Sequence, residues 1–301
     1  MRPGDVRTWV LGLGVALALS TGSAQFGAAA QQKPRPAPEY YVSLGDSYGA
    51  GFQPVASAFH GRDSHGFAYQ VVGLAAAKGY HFVLKNFACS GATTTSILGE
   101  TGCPLRAAGP DTVAHPTRTQ AAAAERFITR HRGHIGLITV SIGGNDFFAC
   151  SIDDMQQSCV AAAMAVAKTN LATLLDGIRH AAGWKVPIVG TTYPDVYLPQ
   201  YNSTKPILRN LATISIPDLR TQVNPTLKAA YDAVGAHFVD VTAATGAYIP
   251  LSRTTSSGSV PVAVADACSF TYVCRFGDIH PTTRGYALIA RLVVGTLPEK
   301  R

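Results

Sequence analysis

The segment Ile135–Ser141, Ile-Gly-Leu-Ile-Thr-Val-Ser, is almost entirely apolar, β-branched or small. A strand with one wet face alternates polar and apolar residues, whereas a strand covered on both faces does not. The run therefore specifies a strand held between two layers, as in a parallel sheet with helices on either side. Four further strand-like runs accompany it, at Tyr40–Leu44, His81–Phe87, Val186–Thr191 and His237–Val241. Helical segments separate them, at about Gly66–Lys78, Pro116–His131, Gln156–Ala182, Pro217–Val234 and Pro281–Leu297. Pro225 is a candidate break in the fourth helix, and a long loop is expected between the fifth strand and His280.

Alternating strands and helices predict an α/β fold: three α/β/α layers around a five-stranded parallel sheet. The flavodoxin-like order 2-1-3-4-5 places its topological switch between strands one and three, so the loops after those strands would flank one crevice. The sequences in those loops are Gly45-Asp46-Ser47-Tyr48-Gly49 and Gly143-Gly144-Asn145-Asp146.

The domain plan has three parts. Residues 1–30 read as a signal peptide: Arg2 and Arg7 precede the apolar Trp9–Leu19, and small residues follow at Gly22-Ser23-Ala24 and Ala28-Ala29-Ala30. Residues 31–39 form a proline-rich linker, and 40–301 a single domain. Six cysteines in an exported chain imply disulfides. Many pairings are open to six, but clustering favours Cys89–Cys103, Cys150–Cys159 and Cys268–Cys274, each near a loop with a candidate site residue. No Cys-x-x-Cys pair suggests zinc. The formal charge of +7 comes from dispersed basic residues, which argues against nucleic acid and allows weak attraction to an anionic cell envelope.

Four blocks carry the chemistry: Gly45-Asp46-Ser47, Cys89-Ser90-Gly91, Gly143-Gly144-Asn145-Asp146, and Asp278-Ile279-His280-Pro281. Singly each has an ordinary reading, such as a helix cap for Asp46 and Ser47 or a turn for the glycines. Together, in this order and spacing, they resemble the signature blocks of the SGNH (GDSL) hydrolases across essentially the whole mature chain. The resemblance implies the SGNH hydrolase fold and a secreted lipase or carboxylesterase. It makes Ser47 the nucleophile, His280 its base and Asp278 the group orienting His280. The oxyanion hole would comprise the N–H groups of Ser47 and Gly91 and the amide of Asn145. Small-molecule or lipid esters are the implied substrates, without metal or cofactor.

Two positions depart from the family pattern. Tyr48 stands where Leu is frequent, and Gly277 occupies the usual aspartate position three before the histidine. Asp278 lies two before His280, and residues two apart share a side in extended chain. A backbone carbonyl near 275–277 and Asp266 are the alternatives. Among other polar residues, His60 and His65 read as solvent-facing, His131 and His134 as helix-end residues, Asp153-Asp154 as a helix cap, and Asp195 as a possible substrate contact.

Gly45-x-Ser47-x-Gly49 also matches the nucleophile elbow of α/β-hydrolases, but that elbow lies mid-chain behind an upstream oxyanion loop. Phe52, Phe147, Phe148 and Tyr193 suit acyl-lipid substrates. A carbohydrate O-deacetylase and a non-catalytic envelope or carbohydrate-binding protein are the rival functions.

Overall fold

A computed structural model describes residues 38–54, 65–148, 150 and 157–300. The expected signal peptide, most of the linker, His60 and Asp153-Asp154 lie outside them. The strands are β1 (Glu39–Gly45), β2 (Phe82–Asn86), β3 (Ile135–Ser141), β4 (Ile188–Thr191) and β5 (His237–Val239). They form one parallel sheet, as the alternation of elements predicts, in the flavodoxin-like order β2-β1-β3-β4-β5.

Twelve α-helical segments occur among the described residues. The first six are α1 (Ser47–Ala50), α2 (Phe67–Ala76), α3 (Thr94–Gly99), α4 (Gln120–Arg130), α5 (Gly144–Phe148) and α6 (Gln157–Ala182). The others are α7 (Pro206–Asp218), α8 (Asn224–Ala233), α9 (Val241–Ala244), α10 (Val262–Phe270), α11 (Val273–Phe276) and α12 (Thr283–Gly295).

Side-chain alternation along the strands divides the core into two. Val42, Leu44, Ile138, Val140 and Ile188 pack with Ile128 of α4, Leu171 and Leu175 of α6 and Leu227 of α8. Tyr41, Leu137, Val189 and Val239 pack on the opposite face with Phe67 and Val71 of α2 and Ile289 and Val293 of α12. Polar side chains inside the sheet pair with each other: Tyr41 Oη lies 2.8 Å from Thr139 Oγ1, which donates to Ser43 Oγ at 3.3 Å. Within α6, Ser158–Ala182 has the length and apolarity of a bilayer span, yet it packs against α3, α4, α5 and α8.

Two helical regions differ from expectation. The helix expected to start at Pro217 begins at Pro206 and continues through a wide π turn, Leu219–Val223, into α8. Pro217 and Pro225 bracket that turn; each lacks the N–H that a regular ladder needs, and the wide turn absorbs the mismatch. The loop expected before His280 holds α9, α10 and α11, whose short Ala- and Val-containing runs carry little periodicity. Pro281 precedes α12, and Thr282 caps it by accepting from Gly285 N at 3.1 Å.

Candidate active site

The β1–β3 register aligns Gly45 with Ser141, so the chain segments leaving both strands emerge at one edge. Gly45 has φ +136°, and a Cβ there would overlap the Ser141 carbonyl oxygen. Only glycine permits this close crossing. Gln120, at the start of α4, fastens the turn from both sides: Gly45 N donates to Oε1 at 2.7 Å, and Nε2 donates to Gly45 O at 3.0 Å.

Ser47 is buried at the start of α1. Asp46 caps that helix, with Oδ1 accepting from Tyr48 N at 2.9 Å and Oδ2 from Tyr193 Oη at 2.5 Å. Burial pushes the Asp46 carboxyl up to about 7, against the opposing effect of the Tyr193 and Tyr48 hydrogen bonds.

Gly91 follows β2 with φ +85°, and open space lies where its Cβ would project. The backbone angle, more than crowding, demands glycine. The Cys89–Cys103 disulfide, with Cα atoms 5.8 Å apart, closes this loop. Asn145 lies in α5 and donates through Nδ2 to Ala92 O at 2.9 Å, which leaves its second amide hydrogen uncommitted by that bond. Asp146 reaches across to α3, accepting from Thr94 N at 3.0 Å and Thr94 Oγ1 at 2.5 Å. The loops after β2 and β3 are therefore joined by side chains from the Gly-Gly-Asn-Asp block.

His280 arrives on a strap held from both sides. Tyr272 N donates to His280 O at 2.9 Å, and Thr282 N donates to Phe270 O at 2.9 Å. Cys268 and Cys274 pair within the partner segment, their Cα atoms 5.3 Å apart. From the Ser47 side, Tyr48 Oη donates to Ile279 O at 2.7 Å and Gln53 Nε2 to Pro281 O at 3.0 Å. The Phe52 ring lies 4.3 Å from the imidazole centroid. Segments flanking Ser47 thus hold the His280 strap at the same sheet edge.

Asp278 Oδ1 lies 2.8 Å from His280 Nδ1 and accepts from His280 N at 2.9 Å. With Nδ1–H directed at the carboxylate, Nε2 is the nitrogen left to exchange protons. Burial alone would raise Asp278, but the ring hydrogen bond, the His280 charge and the backbone N–H together hold it below the usual aspartate value. Gly277 ends α11 in the left-handed region, φ +66°, where glycine is favoured. Asp266 lies elsewhere, its carboxylate beside Gly246.

Several expected site neighbours prove structural. Asp195 is buried, accepting from Tyr197 N, Leu198 N and Ser215 Oγ. Its pKa rises to about 6 through burial. Phe147 and Tyr193 belong to the core, and Tyr193 covers Gly144. As expected, His65 is exposed, and His131 ends α4, with Nδ1 at 2.8 Å from Phe127 O. Sequence reasoning missed Gln120, Tyr48, Gln53 and Asp146 as fastenings; Tyr48 and Asp146 stand inside recognised blocks, but the partner of each of the four lies far away in sequence. A cavity of about 330 Å³ opens beside Gly91, lined by Ser90, Ser96, Glu100, Arg106 and Gln120 among others. No cluster of metal-ligating side chains occurs among the described residues.

A five-stranded α/β/α sandwich in this strand order, with its four loop blocks at the carboxyl edge, defines the SGNH hydrolase class. The chain belongs to the GDSL-like lipase/acylhydrolase family, whose sequence model matches residues 43–288. Similar solved structures include an extracellular lipase from Streptomyces rimosus, 19% identical, with a TM-score of 0.53. That match covers 86% of this chain and 100% of the other. Phospholipase A1 from Streptomyces albidoflavus NA297 is also 19% identical, with a TM-score of 0.52 over 87% of this chain and 100% of that one. At this identity the likeness is one of fold. No curated protein matches the chain.

Proposed function

We propose that the protein is an exported serine carboxylic-ester hydrolase of the lipase or carboxylesterase type. Residues 1–30 are the signal peptide removed on export, 31–39 the linker, and 40–301 the hydrolase domain. Three cysteine pairs support an oxidising destination. The secretion route leads to the medium or the cell envelope.

Ser47 Oγ attacks the ester carbonyl carbon as His280 Nε2 takes its proton. Asp278 holds the imidazole in the required tautomer and stabilises its cation. The developing oxyanion is received by Ser47 N, Gly91 N and the free amide hydrogen of Asn145. Collapse expels the alcohol, protonated by His280, and leaves an acyl group on Ser47. Water, deprotonated by His280, then releases the carboxylic acid. The chemistry needs no metal or organic cofactor.

The observation that carries this reading is the 2.8 Å contact between Asp278 and His280 Nδ1, on a strap tied to the chain around Ser47. The names of the two Streptomyces structures, a lipase and a phospholipase A1, agree with an acyl-ester substrate. The polar lining of the cavity beside Gly91 favours a second reading, deacetylation of a carbohydrate ester. Turnover of p-nitrophenyl esters from acetate to palmitate by wild type and Ser47→Ala tests both. Ser47-dependent hydrolysis is expected, with preference for longer chains in a lipase and acetate in a deacetylase; absence of Ser47-dependent turnover at every length overturns the enzyme reading.

A further inference from the structure

The sequence scatters its basic residues, but three of them gather on α4 and the turn before it. Arg118 precedes the helix, and Arg126 and Arg130 stand one turn apart along it, where i and i+4 share a face. All three are exposed and line a cavity of about 230 Å³. No carboxylate lines it, and no ion pair involves these arginines among the described residues. Their mutual repulsion is visible in Arg126, whose pKa is lowered chiefly by Arg130 and Arg118. Glu125, on the same helix, packs instead at Gly177 of α6, and the Arg132 guanidinium donates to the α6 carbonyls of His180 and Ala181.

A second observation concerns His115 in the same lining. Its side chain is buried, with 6% of its surface exposed. Nδ1 lies 2.9 Å from Val113 O, a carbonyl that can only accept, so Nδ1 carries the proton. Nε2 is buried without a hydrogen-bond partner. A buried polar atom without a partner is destabilising unless something occupies it. His131 also lines the cavity, its ring stacked on Phe127 with centroids 4.1 Å apart.

We propose that this cavity is a binding site for a phosphate group, separate from the ester-hydrolysing edge. Charged phosphate oxygens pair with the guanidiniums, for which Arg geometry is well suited. A hydrogen phosphate or phosphomonoester seated deep enough to reach His115 Nε2 also satisfies it, the P–OH donating to the ring nitrogen's lone pair. The group can be free phosphate or the head of an anionic lipid. The lipid source is favoured by an adjoining cavity of about 290 Å³, which shares Val113, Ala114, His115 and Pro116 with the first and adds Leu105 and Ala108 among others.

Calorimetric titration of the full chain with inorganic phosphate, and co-sedimentation with phosphatidylcholine vesicles with and without phosphatidic acid, test the site. Arg126→Gln/Arg130→Gln should weaken the phosphate-dependent binding by about tenfold or more. Lys168→Gln/Lys185→Gln, which removes two charges elsewhere, should change it by at most about twofold. Turnover of a soluble ester should be the same in all three proteins, which separates this site from the catalytic proposal. Binding to inorganic phosphate alone assigns a free-phosphate source, and binding only to phosphatidic acid vesicles assigns the lipid. Absence of both, or equal weakening by the lysine pair, overturns the proposal.

Discussion

Asp278 Oδ1 accepts from both the backbone N–H and the imidazole of His280, and that shared contact fixes the ring. Asn at this position keeps the shape but can present an N–H to Nδ1 and stabilise the opposite tautomer. Asp278→Asn should therefore lower kcat by about 10²–10⁴-fold while leaving Tm nearly unchanged. Near-full activity in the variant would assign His280 a different orienting group. Asp46 makes a separate prediction. Its carboxyl is raised to about 7 by burial, so the folded state holds a proton that the unfolded chain, with an ordinary aspartate, releases. The stability linked to that proton is present in acid and is lost as pH rises toward and through 7. The Tm of wild type relative to Asp46→Asn should fall between about pH 5 and about pH 8. A pH-independent difference would contradict the buried, proton-retaining carboxyl. At this scale the candidates Ser47, Gly91, Asn145 and His280 were legible as positions, because each sits in a local block. Gln120 was not, since its role depends on meeting Gly45 across 75 residues of sequence.

Among the elements, the His280 strap is the one most dependent on covalent support. α10 and α11 are short, and a helix of so few residues gains little from its own hydrogen bonds. The Cys268–Cys274 link joins them beside the backbone bonds that hold His280 and Thr282. Replacing both cysteines with alanine should cost up to about 2–3 kcal/mol in denaturant melts and reduce kcat more than KM changes. Unchanged kcat with lowered stability would mean that the backbone pairing alone positions the strap. The same elements mark where sequence reading stops. β3 was legible to the residue because it is buried on both faces, and burial writes an unbroken apolar run. α7 was hidden because Pro217 looked like a start; it lies inside a helix whose π turn tolerates it. α10 and α11 pack on neighbours and carry too few turns to show a period.

Across the whole molecule, two long-range ties bring the chain's ends of chemistry together: β1 beside β3 at Gly45 and Ser141, and Tyr48 and Gln53 against the segment Ile279–Pro281. Parallel topology makes this economical, since every strand delivers its following loop to one edge. The strand order was inferable from alternation and the two facing motifs, whereas the fastenings that set the edge's geometry emerged only with the packed structure. The central claim is that this edge activates Ser47. Incubation with a fluorophosphonate, followed by intact mass and peptide mapping, reads that claim without requiring the natural ester. One covalent adduct is expected, on Ser47, formed much more slowly in His280→Ala. Absence of an adduct on the folded wild type, or labelling of another residue with Ser47 untouched, would contradict it.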